Sequence, residues 1–334
     1  MASATAIRHG SRTVIAFGCS ITRPDVYRRC AEPGIRRAAE PDSPMHELAS
    51  IGSLPRSYNA LLDQAAARPD LEALVLVHQD AELMDEDFCA EIRRALADPC
   101  VGVVGCAGAI GVRNIAWWEA SMTLASFINR YDEHGGGDLE SFSWSWDEAP
   151  PYARTGEVET LDGFVLAISP WAVHNLRFDE SLGRIHGYDL DFCLQVRSAG
   201  RKVMTADFRA IHHRGLEMIP DRDDWVDSYV RVANKWEGRH PGLAAPPGSA
   251  RERALRAEAE RDAALAIART RAVEGEARIR QVSHALDAAT SSISWRITAP
   301  LRLLGSADRT TGERPARRVA RLRPAIAEAE ASRE

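Results

Sequence analysis

Short, unbroken runs of apolar residues recur along the chain, and each is closed abruptly by glycine or polar residues. Thr13-Val14-Ile15-Ala16-Phe17 ends at Gly18-Cys19-Ser20, and Leu74-Val75-Leu76-Val77 gives way to His78-Gln79-Asp80. Val101 to Cys106 and Phe164 to Ile168 repeat the signature. Runs of this length, apolar at every position, are expected of strands buried on both faces. Ser57 to Ala67 and Asp87 to Ala97 carry helical patterns between them. Strands alternating with helices predict an α/β fold, a mostly parallel sheet flanked by helices.

The character changes at Pro241. His240-Pro241-Gly242 and then Pro246-Pro247-Gly248 form a linker signature, and the chain beyond them is rich in Ala, Arg and Glu with no strand candidate. The expected organisation is a body over 1–240, a linker over 241–250, a helical segment over 251–304 and a disordered tail over 305–334. In the helical segment Leu265, Ala272, Ile279, Leu286 and Ile293 recur every seventh residue, with Ala268, Val282 and Ala289 offset by three. That is coiled-coil spacing, but several seam positions are only Ala and Gly275 interrupts them. A coiled coil joining two chains as a homodimer and an isolated solvated helix therefore stand equally.

Composition sharpens this division. The 334 residues are 45% apolar and 27% charged, enough for a sizeable core and incompatible with wholesale disorder. The formal charge of -6 is an average. From Arg251 onward there are 17 Arg against 12 acidic residues, which leaves 25 basic against 36 acidic groups in residues 1–250. So acidic a body is a poor binder of nucleic acid, which requires clustered positive charge. Six cysteines with no C-x-x-C pair argue against structural zinc and fit a reducing compartment. No apolar run approaches the roughly 20 residues of a spanning helix, and the start lacks the apolar stretch of a signal peptide, so a cytoplasmic location is expected.

In open α/β sheets ligands bind beyond the carboxyl ends of the strands. The clearest such end is Val77-His78-Gln79-Asp80. In extended chain His78 and Asp80 face one side and Gln79 the other, and an imidazole with a carboxylate can grip a divalent cation. A plain polar loop, with Asp80 capping the next turn, fits the spacing equally. Farther on, Asp189 and Asp191 open a helical pattern, where acids stabilise the N-terminus. His212 and His213 end a strand candidate, so only one of the two should reach a given face.

These segments, in this order, resemble the GT-A fold glycosyltransferases, specifically the family-2-like group. "LVLVHQDAEL" looks like the H-Q-D variant of the family's D-x-D motif, and Ser57-Tyr58-Asn59 is similar to the Asn-containing helix beside the nucleotide. Thr160-Leu161-Asp162-Gly163-Phe164 resembles the acceptor-side segment. "RIHGYDLDFCLQVRSAGRKV" resembles the stretch with the catalytic carboxylate, and "AIHHRG" the late strand whose histidine completes a metal site. The resemblance covers about residues 13 to 220. It implies a Rossmann-like GT-A sheet with a helical C-terminal tail, and a donor site lined by Gly18, Ser20, Asn59, His78 and Asp80. It further implies a divalent metal, Mn or Mg, on Asp80 and His212, with Asp189 as general base and Asp191 merely stabilising the helix. His78 replaces the first acid of the motif and removes a negative charge, so Asp80 bears more of the ligation, and His78 touches either the metal or the donor.

On the acceptor side the expected residues are Asp162, Gly163, Tyr188, Trp144 and Trp146. Trp117, Trp118, Tyr152 and Trp171 add to the aromatic cluster, since ring faces stack on sugars, although at least half of these rings fit core packing as well. Gly135-Gly136-Gly137 suggests a mobile loop. "SSISWRITAPLR", Ser291 to Arg302, resembles a terminal segment of some bacterial polysaccharide glycosyltransferases; weak contact with an anionic membrane, partner docking, or neither, fits it. The implied activity is transfer from a nucleoside-diphosphate sugar to a hydroxyl of a glycan or other acceptor, by one inverting displacement. The competing expectation is a non-catalytic nucleotide-sugar or glycan-binding module. A nucleotidyltransferase is disfavoured, because no glycine-rich phosphate loop comes after the first strand.

Overall fold

A computed structural model of the chain describes residues 13–117, 121–124, 127–131, 137–140, 155–213, 219, 221–239 and 249–291. In chain order the elements begin β1 (Val14–Ile21), α1 (Pro24–Arg29), α2 (Ala31–Ala38), β2 (Met45–Ala49), α3 (Leu54–Ala66), β3 (Leu71–Val77), β4 (Ala81–Leu83) and α4 (Phe88–Ala95). Next come β5 (Val101–Gly105), β6 (Ala107–Ile110), β7 (Ser121–Leu124), β8 (Phe127–Tyr131), β9 (Gly137–Glu140), β10 (Gly156–Val158), β11 (Thr160–Leu161) and β12 (Val165–Ile168). The chain continues through α5 (Pro170–Asn175), α6 (Tyr188–Ser198), β13 (Lys202–Thr205), β14 (Ala210–His213), α7 (Arg222–Trp236) and α8 (Ser249–Ser291).

The central sheet has seven strands in the order β10-β13-β5-β12-β3-β1-β2. β1, β2, β3, β5 and β13 point the same way, while β12 and β10 run against their neighbours. The α/β fold and mostly parallel sheet are as expected. β12, the apolar run Phe164 to Ile168, is nevertheless the antiparallel insert between β3 and β5. An apolar run records burial on both faces and not direction.

Strand alternation explains the unbroken apolar runs. Ile15, Phe17, Val75 and Val77 face one core with Tyr27, Ile35, Phe88 and Ile92 of α1, α2 and α4. Ala16, Leu74 and Leu76 face the other, against Tyr58 and Leu61 of α3 and Ala172 and Phe192 of α5 and α6. Two helix starts are set by local chemistry: Ser53 Oγ accepts from Arg56 N and Ser169 Oγ from Ala172 N, each with a proline in the first turn.

β1 does not stop at Gly18. It runs to Ile21 because β2 pairs with Phe17 through Ile21. Likewise Val101 to Cys106 is not one strand: it bends at Cys106, and β6 joins a second sheet, β11-β6-β7. A third sheet, β4-β14-β8-β9, stands beyond the end of β3.

The chain divides into two units, Met1–Glu274 and Gly275–Glu334. Within the first, the early turns of α8 bury Leu255, Ala259, Ala263 and Ala266 in the core. The seam residues Leu265, Ile279 and Val282 are exposed. Among the described residues no helix is long and apolar enough to cross a membrane. None of the six cysteines is in a disulfide. Trp118, Trp144, Trp146, Tyr152, Gly135, Gly136, Gly215 and everything from 292 onward, including most of the SSISWRITAPLR segment and the 305–334 tail, lie outside the described residues.

Candidate active site

β3 delivers His78, Gln79 and Asp80 beyond its last residue, where His78 N donates to Phe164 O at 2.9 Å. The alternation expected of extended chain holds. Gln79 turns away and clamps the end of β1: its Oε1 accepts from Thr22 N at 2.9 Å and Arg23 N at 2.8 Å, and its Nε2 donates to Thr22 Oγ1 at 2.7 Å. His78 Nδ1 lies 3.9 Å from Asp80 Oδ1.

β14 supplies the third side chain. It pairs antiparallel with β4, setting His212 opposite Ala81, and His213 N donates to Asp80 O at 2.7 Å. His212 Nε2 then stands 3.6 Å from Asp80 Oδ1, while His213 points the other way to Glu82 Oε2 at 3.1 Å. The two adjacent histidines are therefore divided between faces, and His213 is no part of the cluster. The Phe164 ring stacks on His212 at 4.7 Å and 10°.

One ligand atom each from His78, Asp80 and His212 lies within 4.8 Å of the others. One carboxylate with two imidazoles suits a divalent first-row ion. Burial alone would raise the Asp80 carboxyl, but the charge and hydrogen bond of His212 and the charge of His78 outweigh it and hold it well below the usual range. An anionic Asp80 beside imidazoles is a donor set that fits a divalent cation.

The Asp162-Gly163-Phe164 turn and the start of α6 adjoin the cluster. Gly187 at φ 75° provides the left-handed residue that turns the chain into α6. Asp189 Oδ2 accepts from Gly163 N at 3.2 Å and Oδ1 from Leu190 N at 2.9 Å, while Asp162 Oδ1 accepts from Phe164 N at 3.2 Å. Burial, reinforced by the charge of Asp162, pushes the Asp189 carboxyl up to about 7. That value suits a proton acceptor working near neutrality.

Several expected residues have defined partners within the fold. Tyr188 is 3% exposed; its hydroxyl lies 2.7 Å from His78 Nε2, and burial pushes the phenol well above its ordinary value. Asn59 holds Phe178 from both sides, donating to its O at 2.9 Å and accepting from its N at 2.8 Å. Gly18 sits inside β1, where an added Cβ would meet Leu61 and Leu76 at 3.2 Å, and Ser20 is a buried strand residue paired with Leu48.

Asp191 lies in the first turn of α6, as expected of a helix-stabilising acid, and has further contacts. It is 0% exposed and anchors α7, accepting from Trp236 Nε1 at 2.8 Å and Gln195 Nε2 at 2.8 Å beside Lys235 Nζ at 2.7 Å. Trp117 is buried in the core, whereas Trp171 lies under the Arg201 guanidinium at 4.4 Å. The Gln79 clamp, the Tyr188 contact and the Asp191 anchor were not foreseen; of the three, only the outward phase of Gln79 was readable from alternation.

A seven-stranded, mostly parallel α/β sheet carries a His-Asp-His cluster and a buried carboxyl beyond its strand ends. Residues 17–223 match the family described as "Glycosyltransferase like family", and the chain belongs to it. It is a sugar-transferring enzyme by that membership. It is 29% identical over 221 residues to the "Streptomycin biosynthesis protein StrF" of Streptomyces griseus, covering 65% of this chain and 73% of that protein. It is 26% identical over 183 residues to the "O-antigen biosynthesis protein RfbC" of Myxococcus xanthus, covering 52% of this chain and 14% of that much longer one. Among solved structures, the "Mannosyltransferase PcManGT from Pyrobaculum calidifontis in complex with GDP-Man and Mn2+" has a TM-score of 0.42 at 13% identity, covering 88% of each chain.

Proposed function

We propose that the chain transfers a sugar from a nucleoside-diphosphate sugar to an acceptor hydroxyl by a single inverting displacement. Asp80, His212 and His78 would hold a divalent ion, Mn or Mg, and Asp189 would accept the proton of the attacking hydroxyl. The bound ion would supply charge neutralisation for the departing diphosphate. Asp189 is kept protonatable near neutrality by its burial and by Asp162, and the Gly163 and Leu190 amides fix its oxygens in place. The Asp162-Gly163-Phe164 turn lies between base and cluster, where the acceptor would enter.

The observation that carries this reading is the convergence of His78, Asp80 and His212 at the end of β3, beside a carboxyl tuned to about 7. That RfbC is named for O-antigen biosynthesis supports an acceptor in bacterial surface-glycan assembly, with a glycan as the acceptor class. A homodimer through α8 and contact of the terminal segment with a membrane belong to the same proposal.

The test is thermal unfolding of the full chain with a panel of nucleoside diphosphates and their sugars, in Mn2+, Mg2+ or EDTA. One nucleotide should stabilise the wild type only with metal, and Asp80→Ala should lose that stabilisation. Equal donor binding by wild type and Asp80→Ala, with and without EDTA, sinks the metal assignment. Unchanged transfer by Asp189→Asn removes the base.

A further inference from the structure

We propose that Tyr188 is a positioning residue of the metal centre: it accepts the Nε2–H of His78 and so turns the lone pair of His78 Nδ1 toward Asp80 and the ion. The inference rests on the metal reading above and deepens it.

A neutral imidazole has one N–H, so its two nitrogens have opposite roles. His78 presents Nδ1 to Asp80, at 3.9 Å from Oδ1, and Nε2 to the Tyr188 hydroxyl at 2.7 Å. If Nδ1 gives its lone pair to a cation, the proton must sit on Nε2, and the group facing it must accept. A hydroxyl does so; an apolar ring edge would leave a buried donor unmet. Metal-bound histidines are commonly oriented in this way through the other ring nitrogen.

The seat for that hydroxyl is built. A Cβ at residue 163 would come within 2.0 Å of Tyr188 Oη, so the contact with His78 exists only because residue 163 is glycine. The Tyr188 ring is held edge-on by Tyr58 at 5.7 Å and tilted against Phe178 at 5.9 Å. Tyr188 is also the first residue of α6, immediately before Asp189, so one helix start orients a metal ligand and carries the proposed base. This accounts for a tyrosine buried against the site.

The experiment titrates Mn2+ into the full-length protein and reads free ion by electron paramagnetic resonance. Tyr188→Phe should weaken Mn2+ roughly 10-fold, the lower end of the effect of removing such a partner. In a His78→Ala background the same substitution should change nothing further. An unchanged Kd in Tyr188→Phe, or an equal loss in both backgrounds, overturns the proposal, because a general packing defect would not depend on His78. A second readout needs no variant: long-range 1H–15N spectra of the Mg2+-loaded wild type should show His78 protonated at Nε2, and protonation at Nδ1 overturns the proposal. Wild-type protein that takes up no Mn2+, or Asp80→Ala that binds it normally, overturns the metal reading and this inference with it. Uptake lost in Asp80→Ala but untouched in Tyr188→Phe overturns the inference alone.

Discussion

Asp191 and Lys235 meet across the α6–α7 contact at 2.7 Å, with the carboxylate wholly removed from solvent. Trp236 Nε1 donates to the same oxygen and Gln195 Nε2 to the other, at 2.8 Å each, so every partner of this buried charge is fixed. Breaking a buried pair by deleting one member costs about 3–5 kcal/mol. Lys235 retains Asp179 at 2.7 Å, which places Asp191→Ala near the lower end, about 3 kcal/mol. Urea unfolding measures it. Soluble Asp191→Ala should still take up Mn2+, because the anchor lies in the body and does not reach the cluster; loss of metal uptake without loss of stability would contradict this division of work.

Asp189, two residues earlier, should behave in the opposite way. As a base held at about 7 it becomes competent only as pH rises through that value, so the rate should climb through pH 7 and level off above it. Asp189→Asn should lower kcat by about 10²- to 10⁴-fold and remove the acid limb of the profile. A raised carboxyl fixes the linkage sign: between its ordinary value near 4 and about 7 the folded state binds more protons than the unfolded one. Its contribution to stability is therefore complete below about pH 4 and is lost as pH rises through 7. Asp189→Asn should unfold less readily than wild type above pH 7, in urea series at several pH values, and a flat difference across pH would refute the sign.

Gly163 tests the packing beneath both roles. An alanine methyl would land 2.0 Å from Tyr188 Oη and 2.5 Å from Cζ, a stiff ring that cannot bend aside. Gly163→Ala should cost about 1–3 kcal/mol through overpacking. It should also weaken Mn2+ uptake, because the hydroxyl must leave His78. Normal metal affinity in Gly163→Ala would mean that the ring can relax without releasing the histidine.

Much of this was legible before any coordinates, and the boundary has a physical cause. Apolar runs mark strands buried on two faces, and period two separates Gln79 from His78 and Asp80 and His212 from His213; the structure keeps both separations. Those are local facts about a chain. Sheet partners are not: β2, with half-buried and exposed residues and no apolar run, gives little signal, yet it carries β1 beyond Gly18. The partners of Tyr188 and Asn59, His78 and Phe178, lie more than 100 residues away in sequence. Asp191 read as a helix-terminal charge because nothing nearby announces Lys235 and Trp236. Side-chain destinations set by tertiary packing leave no mark on spacing.

The start of α8 carries the last prediction. Leu255, Ala259, Ala263 and Ala266 recur at four-, four- and three-residue steps and are 5%, 0%, 0% and 2% exposed, a stripe packed into the same core as α7. Asp262, also buried, accepts from Tyr229 Oη and Asn114 Nδ2 at 3.3 Å each, and Arg256 pairs with Asp227 at 2.7 Å. The heptad residue Leu265 is off this stripe and faces out, so the seam read from the sequence and the stripe buried on the body are different faces of one helix. A chain ended at residue 240 loses the stripe, uncovers the α7 surface beneath it and leaves the Tyr229 hydroxyl without Asp262. It should unfold at lower temperature than the full chain, whereas a chain ended at residue 274 should retain most of the stability. In the full chain Leu255→Ala should cost about 2–4 kcal/mol by urea unfolding, the usual loss for truncating a buried leucine. Equal unfolding temperatures for the chains ended at 240 and 274 would show that the body needs nothing from α8.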